Sequence, residues 1–469
     1  MRDNVKFAKI GRVLDFFEEI SRIPRGSGNT SGIADYLVGY ANERGLECYR
    51  DAADNVIIKK PATKGYEARP TVILQGHTDI VAEKREGCDI DMATEGVRLI
   101  YDGDYLRADG TTLGGDDGVS VAYALALLDA NDIEHPAIEA VFTSDEEIGL
   151  IGATALDPTK LDGRLMINID SDDEGIFTVG CAGGVRVDVS FTAESSAPYE
   201  NGYKLTVAGL QGGHSGIEID KGRENAIKIL GEALGLMGDI KIETIVGGNA
   251  DNAIPRSAEA TFSASCAITS EITDKIAEKY RAAEPDITVT IEKCAVNAAI
   301  CDKDTKRIVG LINDMPSGVM AMSEDIPGLV ETSLNMGIIR ASGDFSLSFS
   351  VRSAKGAAKE ALVARLQAIA TGYGAEFGTR GGYPAWEYRK QSHLRDVMCD
   401  VYKRMYGTDA KVVTIHAGLE CGIFSDKLEG LDCVSIGPDN FDIHTPEEHL
   451  SLPSTMRVWE YLIEVLKNV

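Results

Sequence analysis

The strongest constraint on the fold is a change of hydrophobic rhythm along the chain. In the first 185 residues the apolar residues come in short unbroken runs: Val56-Ile-Ile, Thr71-Val-Ile-Leu, Ile138-Glu-Ala-Val-Phe-Thr and Leu165-Met-Ile-Asn-Ile. Strand-length runs without alternation suit strands covered on both faces, hence a mainly parallel α/β sheet. Helical spacing at 13–20 and 31–44, and a ten-residue apolar segment at 119–128, supply the helices between them. After Gly180-Cys-Ala-Gly-Gly the rhythm becomes strict alternation, as in Val185-Arg-Val-Asp-Val-Ser-Phe-Thr. It recurs at 203–207, 260–264, 287–292 and 345–351, with helical stretches at 225–237, 270–283 and 359–370. Strands with one wet face define a different, α+β kind of domain. From about Tyr383 the first rhythm returns, with helices at 393–406 and 454–466 and strands at 411–415 and 433–436.

The expected organisation is therefore a catalytic-type α/β domain in two parts, 1–185 and 383–469, interrupted by an α+β lid at 186–382. A length of 469 residues accommodates two or three domains. Two similar stretches, Asn252-Ala-Ile-Pro-Arg256 and Asn335-Met-Gly-Ile-Ile-Arg340, each expected to precede an alternating strand, leave room for two subdomains within the lid. An insertion of that size could equally form a homodimer.

Charge narrows the function. Forty-seven Lys and Arg against 74 Asp and Glu give a net charge of −27, which argues against a nucleic-acid or anionic-membrane partner. No apolar run approaches the roughly 20 residues of a membrane helix, and the opening residues carry no long apolar signal region. The nine cysteines show no C-x-x-C and no disulfide-framework spacing, as expected of reduced thiols in a cytoplasmic protein.

The residues of ligand type cluster just after the apolar runs. Thr71-Val-Ile-Leu-Gln-Gly leads into His77-Thr-Asp79, Ala140-Val-Phe-Thr-Ser-Asp into Glu146-Glu147, and Leu165-Met-Ile-Asn-Ile into Asp170. Cys433-Val-Ser-Ile-Gly-Pro leads into Asp442-Ile-His444, and Leu113-Gly-Gly-Asp116-Asp117-Gly forms an acidic loop before the apolar segment. In a parallel sheet the carboxyl ends of the strands share one edge, so these groups converge on one crevice. So many carboxylates together require cations. Mixed imidazole and carboxylate donors suit zinc, with cobalt or manganese as substitutes. The set exceeds what one tetrahedral ion needs, which favours two ions sharing a carboxylate. The Glu146-Glu147 pair offers one residue to a metal and its neighbour, on the opposite side of an extended segment, to a water. A single H-x-D or E-E in an acidic chain is ordinarily surface decoration; the repeated placement after apolar runs is what singles these out. His135, His393 and His449 lack that context and read as structural or surface residues.

In this combination and order the chain resembles the M20 metallopeptidases, and within them the aminoacyl-histidine dipeptidase (Xaa-His dipeptidase) group. The likeness rests on Gly76-His77-Thr-Asp79-Ile-Val, Thr112-Leu-Gly-Gly-Asp116-Asp-Gly, Ser144-Asp-Glu146-Glu147-Ile-Gly, Asn168-Ile-Asp170-Ser, Gly212-Gly-His214-Ser-Gly and Asp442-Ile-His444-Thr-Pro. Gly115 and Asp117 stand where other members often have Ala and Asn. The resemblance implies a zinc-bearing α/β domain with an inserted lid. It also implies that His77 and Asp170 hold one zinc, Glu147 and His444 the other, and that Asp116 bridges them. Asp79 would orient the His77 ring, Glu146 would be the general base, and His214 would stabilise the oxyanion. Asn335 and Arg352 would bind the substrate carboxylate and Glu420 its amino group. The implied activity is hydrolysis of unblocked dipeptides, Xaa-His or β-alanyl-His among them. The alternatives are a tripeptidase or N-acyl amino acid deacylase on the same scaffold, or a non-catalytic peptide- or metal-binding protein.

Overall fold

The structure is a computed structural model that describes residues 2, 3 and 5–469. It divides into two compact units. The first comprises Met1–Gly180, Tyr388–Thr414 and Leu419–Val469; the second comprises Cys181–Glu387 and Ile415–Gly418. The seams thus fall at 180/181 and 387/388, against 185/186 and 382/383 from the sequence, and no sequence feature signals that 415–418 joins the second unit.

The first unit is built on an eight-stranded sheet. Its strands are β1 (Glu47–Arg50), β2 (Val56–Lys60), β3 (Val72–His77), β4 (Ile138–Thr143), β5 (Leu165–Asn168), β6 (Ile176–Cys181), β7 (Lys411–Ile415) and β8 (Asp432–Ser435), in the spatial order β1-β2-β4-β3-β5-β8-β6-β7. The central four, β4-β3-β5-β8, run parallel, and antiparallel strands flank them. All residues of β3, β4, β5 and β8 are buried, which is why their apolar residues fall next to one another rather than alternating with exposed polar ones.

Helices α1 (Gly11–Ser21), α2 (Ser31–Glu43), α3 (Gly115–Asp129), α4 (His393–Tyr406) and α5 (Leu452–Leu466) complete the unit around one core. Helix α3 packs on β3 and on α1, so it is buried on nearly every side. Its approach to β3 depends on Gly76, where a side chain would collide with Ser120 Oγ and Asp117 Oδ2. The ends of α4 and α5 are specified locally. Ser392 and Ser451 accept main-chain N–H groups of the first turns, Pro453 opens α5, and Gly407 closes α4 with φ of +73°.

The second unit is an antiparallel sheet of nine strands over its own core. Period two is clear in Asn201–Ala208, where Tyr203, Leu205 and Val207 are buried and their neighbours are not. The sheet runs without a break through both halves of the insertion, because Ile245, Val246 and Gly247 pair with Ala341, Arg340 and Ile339. The two stretches compared in the sequence each precede a strand, Ala258–Ala264 and Asp344–Ser353, but differ in their own setting. Residues 252–256 precede the strand Ala258–Ala264, whereas Asn335 to Arg340 lie inside the strand Val330–Ser342. Among the described residues no helix is long and apolar enough to cross a membrane.

Candidate active site

Because β3, β4, β5 and β8 are parallel and in register, His77 lies beside Thr143, and Asn168 beside both Gln75 and Ser435. The chain therefore leaves all four strands along one edge, the position at which open parallel sheets form sites. His77 Nε2 lies 3.0 Å from Asp116 Oδ1 and 3.8 Å from Asp170 Oδ1. His444 Nε2 lies 3.1 Å from Asp116 Oδ2 and 2.9 Å from Glu147 Oε1. Two triads result, His77–Asp116–Asp170 and Asp116–Glu147–His444, with the ligand-type atoms of each within 4.8 Å of one another. Asp116 belongs to both and turns one oxygen to each histidine. Glu146 groups with His77 and Glu147.

Asp79 is fully buried, with both its main-chain carbonyl and its carboxylate close to the His77 ring. The nearest acceptor to His77 Nδ1 is the main-chain carbonyl of Asp79 itself, at 3.0 Å, with the carboxylate at 3.5 Å. Either acceptor keeps a proton on Nδ1 and turns Nε2 toward Asp116 and Asp170. The Asp79 carboxylate accepts the N–H groups of Glu146 and Glu147 at 3.0 and 3.3 Å, and the Ser27 hydroxyl at 2.7 Å. It therefore fixes the two glutamates as much as the histidine. Those glutamates do not lie on an extended segment. They sit in a turn after β4, entered through Asp145 with φ of +50°, so turn geometry and not strand alternation separates their side chains.

The electrostatics describe a site that demands positive charge. Burial opposes ionisation of Asp116, yet the bonds from His444 and His77 hold its carboxyl below the usual range. The same contacts push His444 up to about 10, and they raise His77 well above its ordinary value despite burial. Burial raises Asp170, and burial together with Glu420 and Glu147 pushes Glu146 up to about 8. Two imidazoles cannot balance this many carboxylates. The donor set, two imidazoles with carboxylates within 4 Å and one carboxylate shared, fits a pair of divalent cations.

Glu420 opens the helix Glu420–Lys427 and is completely buried. Its Oε2 accepts from Gln75 Nε2 and Thr143 Oγ1, both at 2.6 Å, while Oε1 has no hydrogen-bond partner. Burial pushes this carboxyl up to about 7.

The other three candidates belong to the second unit. His214 lies in a two-residue strand paired with Ala253 and Ile254. Its Nδ1 accepts the N–H groups of Gly216 and Ile217 at 3.2 and 3.3 Å, which leaves the proton on Nε2. Burial and the Arg352 charge lower its pKa, so the ring is a neutral donor at pH 7. Arg352 donates to Tyr383 Oη at 3.0 Å, and its buried Nε has no partner. Asn335 corrects the sequence reading. Its amide nitrogen donates to the carbonyls of Asp251 and Ala253, both at 2.8 Å, which consumes both N–H groups. No donor remains for a substrate carboxylate; Asn335 instead braces the strand that pairs with His214. His135 is buried with Nδ1 2.7 Å from the Pro136 carbonyl, and His449 stacks on Phe441.

Comparison with known proteins defines the class. The model of Peptidase family M20/M25/M40 matches residues 73–468, and the chain belongs to this family. It is thus a metal-dependent hydrolase acting on peptide bonds. It is 34% identical, over 472 aligned residues covering 97% of each chain, to the cytosol non-specific dipeptidase of Escherichia coli (strain K12). Among solved structures it superposes on the aminoacylhistidine dipeptidase from Vibrio alginolyticus with a TM-score of 0.90 and 34% identity, over 100% of this chain and 99% of that one. A tripeptidase from Staphylococcus aureus shares the fold at 19% identity and a TM-score of 0.57, over 97% of each chain.

Proposed function

We propose that this protein is a cytoplasmic dipeptidase that works with two zinc ions on peptides whose two ends are free. The observation that carries the reading is Asp116, whose two oxygens face His77 and His444 at 3.0 and 3.1 Å and so join two histidine–carboxylate triads. His77 and Asp170 would hold one ion, Glu147 and His444 the other, with Asp116 shared between them. When bound, the ions polarise the scissile carbonyl and lower the pKa of the attacking water. Glu146, grouped with His77 and Glu147, would take the proton of that water and return it to the leaving amine. His214, with its proton on Nε2, donates to the developing oxyanion. Glu420 offers its unpartnered Oε1 to the substrate amino group, and Arg352 its unpartnered Nε to the carboxylate. A cytoplasmic setting is in keeping with the word cytosol in the relative's name.

Zinc-loaded protein assayed on a panel of dipeptides, tripeptides and N-acyl amino acids tests this function. Dipeptides should be the preferred substrates, and Glu420→Ala should impair them selectively. Preference for acyl amino acids, unaffected by Glu420→Ala, would point to a deacylase. Preference for tripeptides would exclude the dipeptidase reading as well.

His214→Ala should lower turnover by about 10²- to 10³-fold, the scale of one lost oxyanion donor. Metal content and melting temperature should stay at wild-type values. Wild-type turnover in this variant would reduce His214 to a turn residue.

A further inference from the structure

The loop that carries Asp116 is gripped by buried charge of both signs. Glu448 accepts four consecutive main-chain N–H groups: Oε2 takes those of Leu113 and Gly114 at 2.8 and 2.9 Å, and Oε1 those of Gly115 and Asp116 at 2.9 and 3.2 Å. Asn440 Nδ2 adds a fifth bond at 3.2 Å. The fully buried Arg25 donates from Nη2 to the Gly114 carbonyl and from Nη1 to the Thr78 carbonyl, each at 2.8 Å. The loop fits against Arg25 because position 114 is glycine: its φ is +71°, and a Cβ there would come within 2.6 Å of Ile80 Cγ2 and 2.8 Å of Arg25 Nη2. A carboxylate thus takes the amides of residues 113–116 while a guanidinium takes a carbonyl of the same loop.

This arrangement bears on the metals through Asp116. A carboxylate shared between two ions must present both oxygens at fixed positions, and a site loosened by about 1 Å loses function. A main chain held at four successive amides has little freedom to rotate that side chain away. Glu448 also follows His444 by four residues. One short segment therefore supplies a ligand to one ion and the grip on the loop that supplies the bridge. Arg25 ties the same loop to the main chain next to His77, since Thr78 is the following residue.

We propose that Glu448, backed by Arg25, is a positioning residue that preassembles the bridging carboxylate, so that its loss weakens zinc binding beyond any general loss of stability. The proposal rests on the two-zinc reading above. Its test is a zinc titration of chelator-stripped protein against a competing dye, for wild type, Glu448→Gln and Glu139→Gln. Glu139 is a matched control. It is a buried carboxylate on β4 that accepts the N–H groups of Asp162 and Gly163 at 3.0 and 2.9 Å, before the start of β5 and away from the ligand edge. Glu448→Gln should bind at least one ion about 10- to 100-fold more weakly, the usual cost of removing an outer support of a metal site. Glu139→Gln should keep wild-type zinc affinity even if both variants melt earlier. Should Glu448→Gln fail to fold, Glu448→Asp carries the same comparison, since it keeps the charge and shortens the reach. Wild-type zinc affinity in the Glu448 variant, or an equal loss in Glu139→Gln, would overturn the proposal. A wild-type protein that takes up one ion only would instead overturn the two-zinc reading.

Discussion

Replacing Glu146 by Gln should lower turnover on a good dipeptide by about 10²- to 10⁴-fold, the range of a lost general base, and leave the metal load unchanged. The expectation follows from the separation of tasks within the turn after β4. Glu147 Oε1 lies 2.9 Å from His444 Nε2, inside a ligand triad, whereas Glu146 is grouped with His77 and Glu147 and lies outside both Asp116-sharing triads. Burial pushes Glu146 up to about 8, and the positive charge of bound ions would draw it back down and leave it ionised to accept a proton. An amide at this position keeps the shape and the Asp79 contacts to the main chain but cannot take a proton. Elemental analysis of the purified variant, alongside its turnover, checks both halves of the expectation. If Glu146→Gln lost metal, and Glu147→Gln kept metal but lost turnover, the roles would be reversed.

Prolonged chelation should abolish activity, and added zinc should restore it. The size of the effect follows from the chemistry, because the ions would supply both the activated water and the main polarisation of the peptide carbonyl. The restoration should also depend on pH, with a definite sign. Without metal, His444 is raised to about 10 and His77 well above 6.5 by Asp116 and its neighbours, so both imidazoles carry protons at pH 7. Zinc requires both to be neutral, so uptake must release protons and affinity must rise with pH across the neutral range. Calorimetric titration in two buffers of different ionisation enthalpy measures the protons released. Zinc uptake without proton release would mean that the histidines are not the ligands.

The parts of this molecule that were legible in the sequence are those whose side chains repeat a physical demand. β3, β4, β5 and β8 are wrapped on both faces, and that burial wrote the unbroken apolar runs from which the parallel sheet and the ligand edge could be read. Several elements escaped because their pattern is broken by local geometry. The strand Ile240–Gly247 carries a bulge at Glu243 and Val330–Ser342 one at Gly337, and each bulge shifts the alternation out of phase. Glu376–Tyr383 is an edge strand with almost no buried side chain, so it carries no apolar signal. In the site, the type and spacing of the ligands were visible, but their supports were not. Arg25 stands in a turn-rich stretch and Glu448 in an acidic one, and only the folded chain reveals that both are buried against the same loop. Asn335 was misread for the opposite reason. Its residue type fits carboxylate binding, and only the carbonyls of Asp251 and Ala253 expose its N–H groups as already spent.

The central claim is that two ions share Asp116. Metal content per chain, measured across a reconstitution series together with turnover, tests it most directly. Activity should rise to its maximum as the second equivalent of zinc is bound, and Asp116→Ala should lose tight binding of both ions. Full activity at a single equivalent, with no further ion bound tightly, would contradict the account.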